Sequence, residues 1–65
     1  MDIDRKHLRR LREFSGKSIR QLAREAEISH SHLAYVESGK RKPKEGVVKK
    51  LADALDVSMN DLING

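Results

Sequence analysis

Residues 18–39, SIRQLAREAEISHSHLAYVESG, constrain this chain more than any other stretch. They specify two short amphipathic helices, joined so tightly that only a near-perpendicular crossing is open to them. Leu22, Ala23 and Ala26 recur at helical spacing, and so do Leu33, Val36 and Glu37. Between them, Glu27-Ile28-Ser29 closes one helix and opens the next. Ala23 is small where the two axes must approach. Helices this short cannot bury themselves alone, so each turns its apolar stripe onto the other and onto flanking helices. The outer side of the second helix is then left to solvent, with His30, Ser31, Ala34, Tyr35 and Ser38 on it.

The flanking residues punctuate the rest. Asp4 is placed to cap a first helix running to about Ser15, with Leu8 and Leu11 inward and Gly16 at the left-handed position beyond its end. Ser18 with Gln21 forms an S-x-x-Q capping box that opens helix 2, which runs to about Ala26. Ser29 caps helix 3, which runs to Glu37 or Ser38 and stops at Gly39. Lys40-Arg41-Lys42-Pro43-Lys44 is a basic loop whose proline restricts how Lys42 lies. Helix 4 is expected from about Glu45 to Leu55, with Val48, Leu51, Ala52 and Leu55 inward. Ser58 and Asp61 make a second capping pair for a last short helix, Met59 to Ile63. β-Branched residues are few and never alternate, which predicts no sheet. The expectation is an all-α, compact five-helix domain over residues 1–65. With one Phe, one Tyr and no Trp, its core must be aliphatic. The candidates are Leu8, Leu11, Leu22, Ile28, Leu33, Val36, Val48, Leu51, Leu55, Val57, Leu62 and Ile63.

Charge narrows the partner. The net charge is +4 over 65 residues, but its distribution says more. Residues 1–24 carry eight Lys/Arg against three acids, residues 25–50 carry six against four, and residues 51–65 carry three Asp and no base. Such polarity favours a polyanion docked away from the C-terminal end; a solvated face without a partner fits the charges equally well. A protruding helix with short polar and aromatic side chains on a basic protein is the form of a DNA-reading helix-turn-helix. There is no Cys, so disulfides and thiolate metal sites are excluded and a cytoplasmic setting is expected. No apolar run is long enough to span a membrane.

Several patterns in one register carry a family resemblance: Leu8-x-x-Leu11-Arg12-x-x-x-Gly16, Ser18-x-x-x-Leu22-Ala23 and Ile28-Ser29-x-Ser31. They continue through Leu33-x-x-Val36-Glu37-x-Gly39-Lys40-Arg41-x-Pro43 and Leu51-Ala52-x-Ala54-Leu55-x-Val57-Ser58. Together these resemble the phage-repressor/Cro-type (XRE family) helix-turn-helix domains over nearly the whole chain. The resemblance implies a lambda-repressor-like fold with helices 2 and 3 as the helix-turn-helix. It is closest to Gram-positive repressors that place an aliphatic residue at the start of helix 2. Three positions depart from the family pattern. Glu27 stands where most members carry Gly. Ile19 stands where many carry a Gln that helps fix a phosphate and a base. Lys44 replaces the usual Ser before helix 4, losing a cap and adding charge.

By family position, Ser29, His30, Ser31, Ala34 and Tyr35 would read bases in the major groove. Ser pairs with purine or pyrimidine edges, His reaches a purine N7, and Tyr bonds a phosphate or packs on a thymine methyl. Tyr35 as a half-buried shield over Leu33 remains an alternative. Lys17, Ser18, Ile19, Ser38, Lys40, Arg41, Lys42 and Lys44 would lie along the DNA backbone, with the helix 2 amides and Ser18 holding a phosphate. Arg12 and Glu37 are expected as a buried structural ion pair. Arg5, Lys6, Arg9 and Arg10 form a basic run on the first helix, read as mostly solvated with one near a phosphate.

The function implied is sequence-specific binding of double-stranded DNA by a bacterial or phage repressor. An antitoxin-type interaction module that binds its own promoter is the alternative. Relatives bind as dimers, and Met59, Leu62 and Ile63 are the candidate dimer strip for a weak homodimer; a partner protein or a further C-terminal domain is also open. No enzyme, cofactor or metal is expected. His30 and His32 lie on different helix faces and His7 on another helix, and no nucleophile–base pair stands at a usable spacing. Protonation of His30 would add charge in the groove and strengthen binding below about pH 6.5.

Overall fold

A computed structural model describes residues 2–63. Four α-helices follow one another: α1 (Arg5–Phe14), α2 (Ile19–Glu25), α3 (His30–Ser38) and α4 (Glu45–Leu55). The expected fifth helix is a single 3₁₀ turn, Met59–Asp61, so the five-helix count is corrected to four helices and a turn. The reason is local. The Ser58–Asp61 box closes around three residues, and Leu62 and Ile63 turn to meet the N-terminal arm instead of extending the helix. There the Asp4 amide donates to the Leu62 carbonyl at 2.8 Å, and Ile3 and Ile63 form an isolated antiparallel bridge.

The caps explain where each helix begins. Asp4, Ser18 and Ser29 each accept from the amide three residues on, of His7, Gln21 and His32. At helix 2 the box is only half made, because the Gln21 side chain donates to Glu25. Lys44 offers α4 no side-chain cap.

All four helices end by one device, in which a left-handed residue lets two amides fold back on the last turn. Gly16, Glu27, Gly39 and Asp56 occupy that position, with φ of 72°, 59°, 85° and 57°. The amides of Lys17, Ile28, Lys40 and Val57 then reach the carbonyls of Arg12, Ala23, Tyr35 and Ala52, five residues back, at 2.9 to 3.1 Å. Two of the four left-handed positions are therefore held by acidic residues instead of glycine.

The core forms where α2 packs on α3 and α4, α1 on α3, and the 3₁₀ turn on α4. Leu8, Leu22, Leu33, Val36, Val48, Leu51 and Leu62 are fully buried, together with Ala23, Ala26 and Ala52. Ala23 and Ala26 allow the close α2–α3 crossing that the sequence predicts. Leu11, Ile28 and Val57 pack at its margin, and Ile63 is also half-buried. Ile3 and Pro43, absent from the expected core, are buried.

Candidate nucleic-acid interface

The outer side of α3 is the feature the fold leaves open. Ser29, His30, Ser31 and Ser38 are exposed, Ala34 is half-buried, and Tyr35 is 43% exposed. The opposite side buries Leu33 and Val36 completely. The Tyr35 ring lies under the Lys40 ammonium, 5.7 Å from its centroid, so it joins the helix to the basic loop.

Scaffold contacts fix this helix. Arg12 of α1 meets Glu37 of α3 in a two-pronged pair: Nε to Oε2 at 2.7 Å and Nη2 to Oε1 at 3.1 Å. Both side chains are under a tenth exposed. The third guanidinium nitrogen, Nη1, donates to the Lys17 carbonyl at 2.9 Å, so little of the buried charge is left unpartnered. The Arg5 Nη1 donates to the Ser38 carbonyl at 2.6 Å and sits over Gly39. Arg5, exposed as expected, thus also acts on the end of α3. Arg9 pairs with Glu13 on the surface of its own helix.

The loop after α3 is pinned at both ends and open between. The Lys40 and Arg41 amides both donate to the Tyr35 carbonyl, at 2.9 and 3.3 Å, and Pro43 is buried. Lys40, Arg41, Lys42 and Lys44 are exposed. The Lys42 ammonium faces Asp2 at 3.1 Å, and this contact holds the Asp2 carboxyl below the usual carboxylate range.

Lys17 and Leu62 are placed otherwise than the DNA-backbone and dimer expectations had them. Lys17 is drawn inward: its Nζ donates to Glu25 at 2.5 Å and to the Ala54 carbonyl at 2.9 Å, and its side chain is only 20% exposed. Its charge ties α2 and α4 to the turn after α1. The hydrogen bond from Lys17, with a smaller one from Gln21, lowers the Glu25 carboxyl pKa. Ile19 packs its side chain against the core margin, which fits an expectation that rests on the α2 amides and not on its side chain. Leu62 of the supposed dimer strip is fully buried within its own chain, and Met59 and Ile63 are half-buried. The residues 59–63 close the fold and offer no exposed apolar strip.

Two exposed residues were missed. Arg20 and Arg24 line a shallow cleft of about 320 Å³ with Ser29 and His30 at the start of α3. Their i, i+4 spacing, which puts both on one face of α2, was the available signal.

Among the described residues, no helix is long and apolar enough to cross a membrane. Comparison with known proteins agrees with this geometry. Two proteins from two strains of Mycobacterium tuberculosis, both named uncharacterized HTH-type transcriptional regulators, are 43% identical over 51 residues. That alignment covers 78% of this chain and 36% of each relative, so the chain spans about a third of the length of the proteins it matches. No solved structure gives a significant match. Residues 6–63 match the helix-turn-helix domain family, which takes in α1 from its second residue, the other three helices and the closing turn. The chain belongs to the helix-turn-helix domain family, in keeping with its XRE-type sequence patterns.

Proposed function

We propose that this chain is a sequence-specific duplex-DNA-binding domain of a transcriptional regulator, acting as a repressor and reading the major groove with α3. One observation carries the reading: an exposed polar helix face, locked to its scaffold and continued by an exposed cationic loop. A helix held this way enters a groove without losing much further freedom. Lys40, Arg41, Lys42 and Lys44 would lie against the flanking phosphates. His30, Ser31 and Tyr35 would meet base edges, with Ser29 and Ala34 beside them and Ser38 near the backbone. The regulator names given to the relatives agree with this reading.

The test is selection of bound duplexes from a random pool, followed by sequencing, with NMR titration of the enriched duplex. Enrichment of a defined motif, with shifts concentrated on residues 29–42, supports the reading. A pool that stays random, or shifts confined to the opposite side of the domain, would overturn it.

An interaction module that also binds its own promoter is favoured by one feature. Phe14 at the end of α1 is 92% exposed, next to half-buried Leu11 and His7. A neighbouring-gene partner that protects Phe14 from solvent would establish that role.

A further inference from the structure

The N-terminal arm and the basic loop enclose a cleft of about 210 Å³ lined by Arg5, Arg41 and Lys42. Gly39 contributes backbone to its wall, and Asp2 is the one acid among the described residues that line it. The arm is held in place. Ile3 is buried and bridged to Ile63, and the Asp4 amide is bonded to Leu62, so Asp2 leaves an anchored segment. The loop is equally fixed, between the Tyr35 carbonyl and buried Pro43. The Asp2–Lys42 contact, across forty positions of sequence, joins two positioned backbones at 3.1 Å.

We infer that this cleft is a seat for a phosphodiester of the DNA backbone, and that Asp2 is its built-in competitor, neutralising Lys42 until DNA displaces it. The inference rests on the DNA-binding reading and adds a restraint to it. Three cationic residues line a volume that accommodates a phosphate, and Asp2 presents the same chemistry, an oxyanion, to one of them. The pair is more than 70% exposed on both sides, so it is weak enough to yield to a polyanion. Its effect is still felt twice during binding. The Asp2–Lys42 attraction must be given up for Lys42 to meet a phosphate, and the displaced carboxylate stays near a phosphate of like charge. Asp2 remains ionised throughout the neutral range, because Lys42 favours its charged form.

The experiment compares the wild-type chain with Asp2→Asn, Lys42→Ala and the double variant. Binding to a labelled random-sequence duplex is followed by fluorescence anisotropy between about 50 and 200 mM salt. Asp2→Asn is expected to tighten binding roughly three- to tenfold at the low-salt end. It should also steepen the log–log salt dependence by no more than about 0.9, since Lys42 meets its phosphate in both proteins and only the offsetting carboxylate charge is lost. In the Lys42→Ala background the same change should alter affinity less than about twofold, since the competitor has lost its target. No gain from Asp2→Asn, or an equal gain in both backgrounds, overturns the inference and leaves the DNA reading intact. If no variant binds duplex at low salt, the DNA reading fails, and inorganic pyrophosphate decides the seat. Titrated into labelled protein, it should shift the Gly39, Arg41 and Lys42 amides at lower concentration in Asp2→Asn than in wild type. Amides that do not respond in either protein overturn the seat as well.

Discussion

Arg5 and Gly39 fit one another: the guanidinium of the first lies where the second has no side chain, and its Nη1 donates to the neighbouring Ser38 carbonyl at 2.6 Å. The last carbonyls of a helix lack intrahelical partners and carry the negative end of its dipole, so a cation there satisfies both needs. With Arg12 on Glu37, α1 grips α3 at consecutive residues, Glu37 and Ser38, at the end of the helix proposed to read DNA. Gly39 is therefore required twice, for its φ of 85° and for the room it gives Arg5.

Gly39→Ala should cost about 1–2 kcal/mol, part from left-handed strain and part from displacing Arg5 from its carbonyl. Arg5 is long and can move aside, so the second part is the smaller. In an Arg5→Ala background the same substitution should cost only the strain, about 1 kcal/mol. Urea melts of the four proteins give both numbers. Identical costs in the two backgrounds would show that Arg5 makes no contribution at Gly39.

Glu27 holds φ at 59° in the α2–α3 turn, a conformation that strains any residue with a β-carbon. Its side chain is exposed, so little packing is lost with it. Glu27→Gly should raise stability by about 0.5–1 kcal/mol, the relief of strain exceeding the greater freedom of the unfolded chain. For a domain of this size that is a rise of several degrees in Tm. A lower melting temperature would show that Glu27 makes a contact worth more than the strain. Asp56→Gly at φ 57° should gain less, since Asp tolerates this region better.

What the sequence revealed was local. Caps three residues ahead of their amides, apolar positions at helical spacing and glycines beyond helix ends fixed α1 to α4 within a residue or two, because the interactions involved lie within one or two turns. The Arg12–Glu37 pair came from family resemblance alone, since no periodicity links positions twenty-five apart. The missed contacts are all of this second kind: Arg5 with Ser38, Lys17 with Ala54, and Ile3 with Ile63. Lys17 illustrates the cause. A lysine before a helix looks free in sequence, and only the approach of α4 supplies the carbonyl that draws it in. Leu62 reads in sequence both as core and as part of a dimer strip, and the N-terminal arm lying against it leaves only the core reading.

Removing either member of the Arg12–Glu37 pair should destabilise the domain by about 3–5 kcal/mol, because the remaining charge is stranded at a site under a tenth exposed. For so small a domain that approaches complete unfolding. Arg12→Met combined with Glu37→Leu should recover most of the loss, since apolar groups of similar bulk leave no charge unpaired. Thermal melts decide the matter. A double variant no better than the single ones would mean that the Lys17 carbonyl, deprived of Arg12, dominates the cost.

Glu25 should give the fold an acid-sensitive component. Its carboxyl is held below its ordinary value of 4.5 by the Lys17 hydrogen bond first, and by Gln21 in addition. A folded-state pKa that is depressed stabilises fully above the unfolded value and loses that stabilisation as pH falls through the folded one. Stability is therefore expected to fall below about pH 4.5 more steeply in wild type than in Glu25→Gln. Urea midpoints from pH 6 downward test this. Parallel curves for the two proteins would show that the Lys17–Glu25 contact contributes nothing in solution.

The two parts of the proposed interface should separate under salt. Arg41→Ala with Lys42→Ala removes cations from an exposed loop without touching the buried anchor at Pro43, so the fold should survive. Each lost phosphate contact lowers the salt slope by about 0.9, so the slope should fall by up to about 1.8, with affinity for all duplexes reduced together. His30→Ala and Tyr35→Phe act on the α3 face instead. They should narrow the difference between selected and random duplex while leaving the slope almost unchanged, because base edges bind no condensed counterions. Anisotropy titrations on both duplexes at several salt concentrations measure the two quantities independently. If the loop variant changed sequence preference at constant slope, and the helix variants changed the slope, the assignment of phosphate contacts to the loop and base contacts to α3 would have to be reversed.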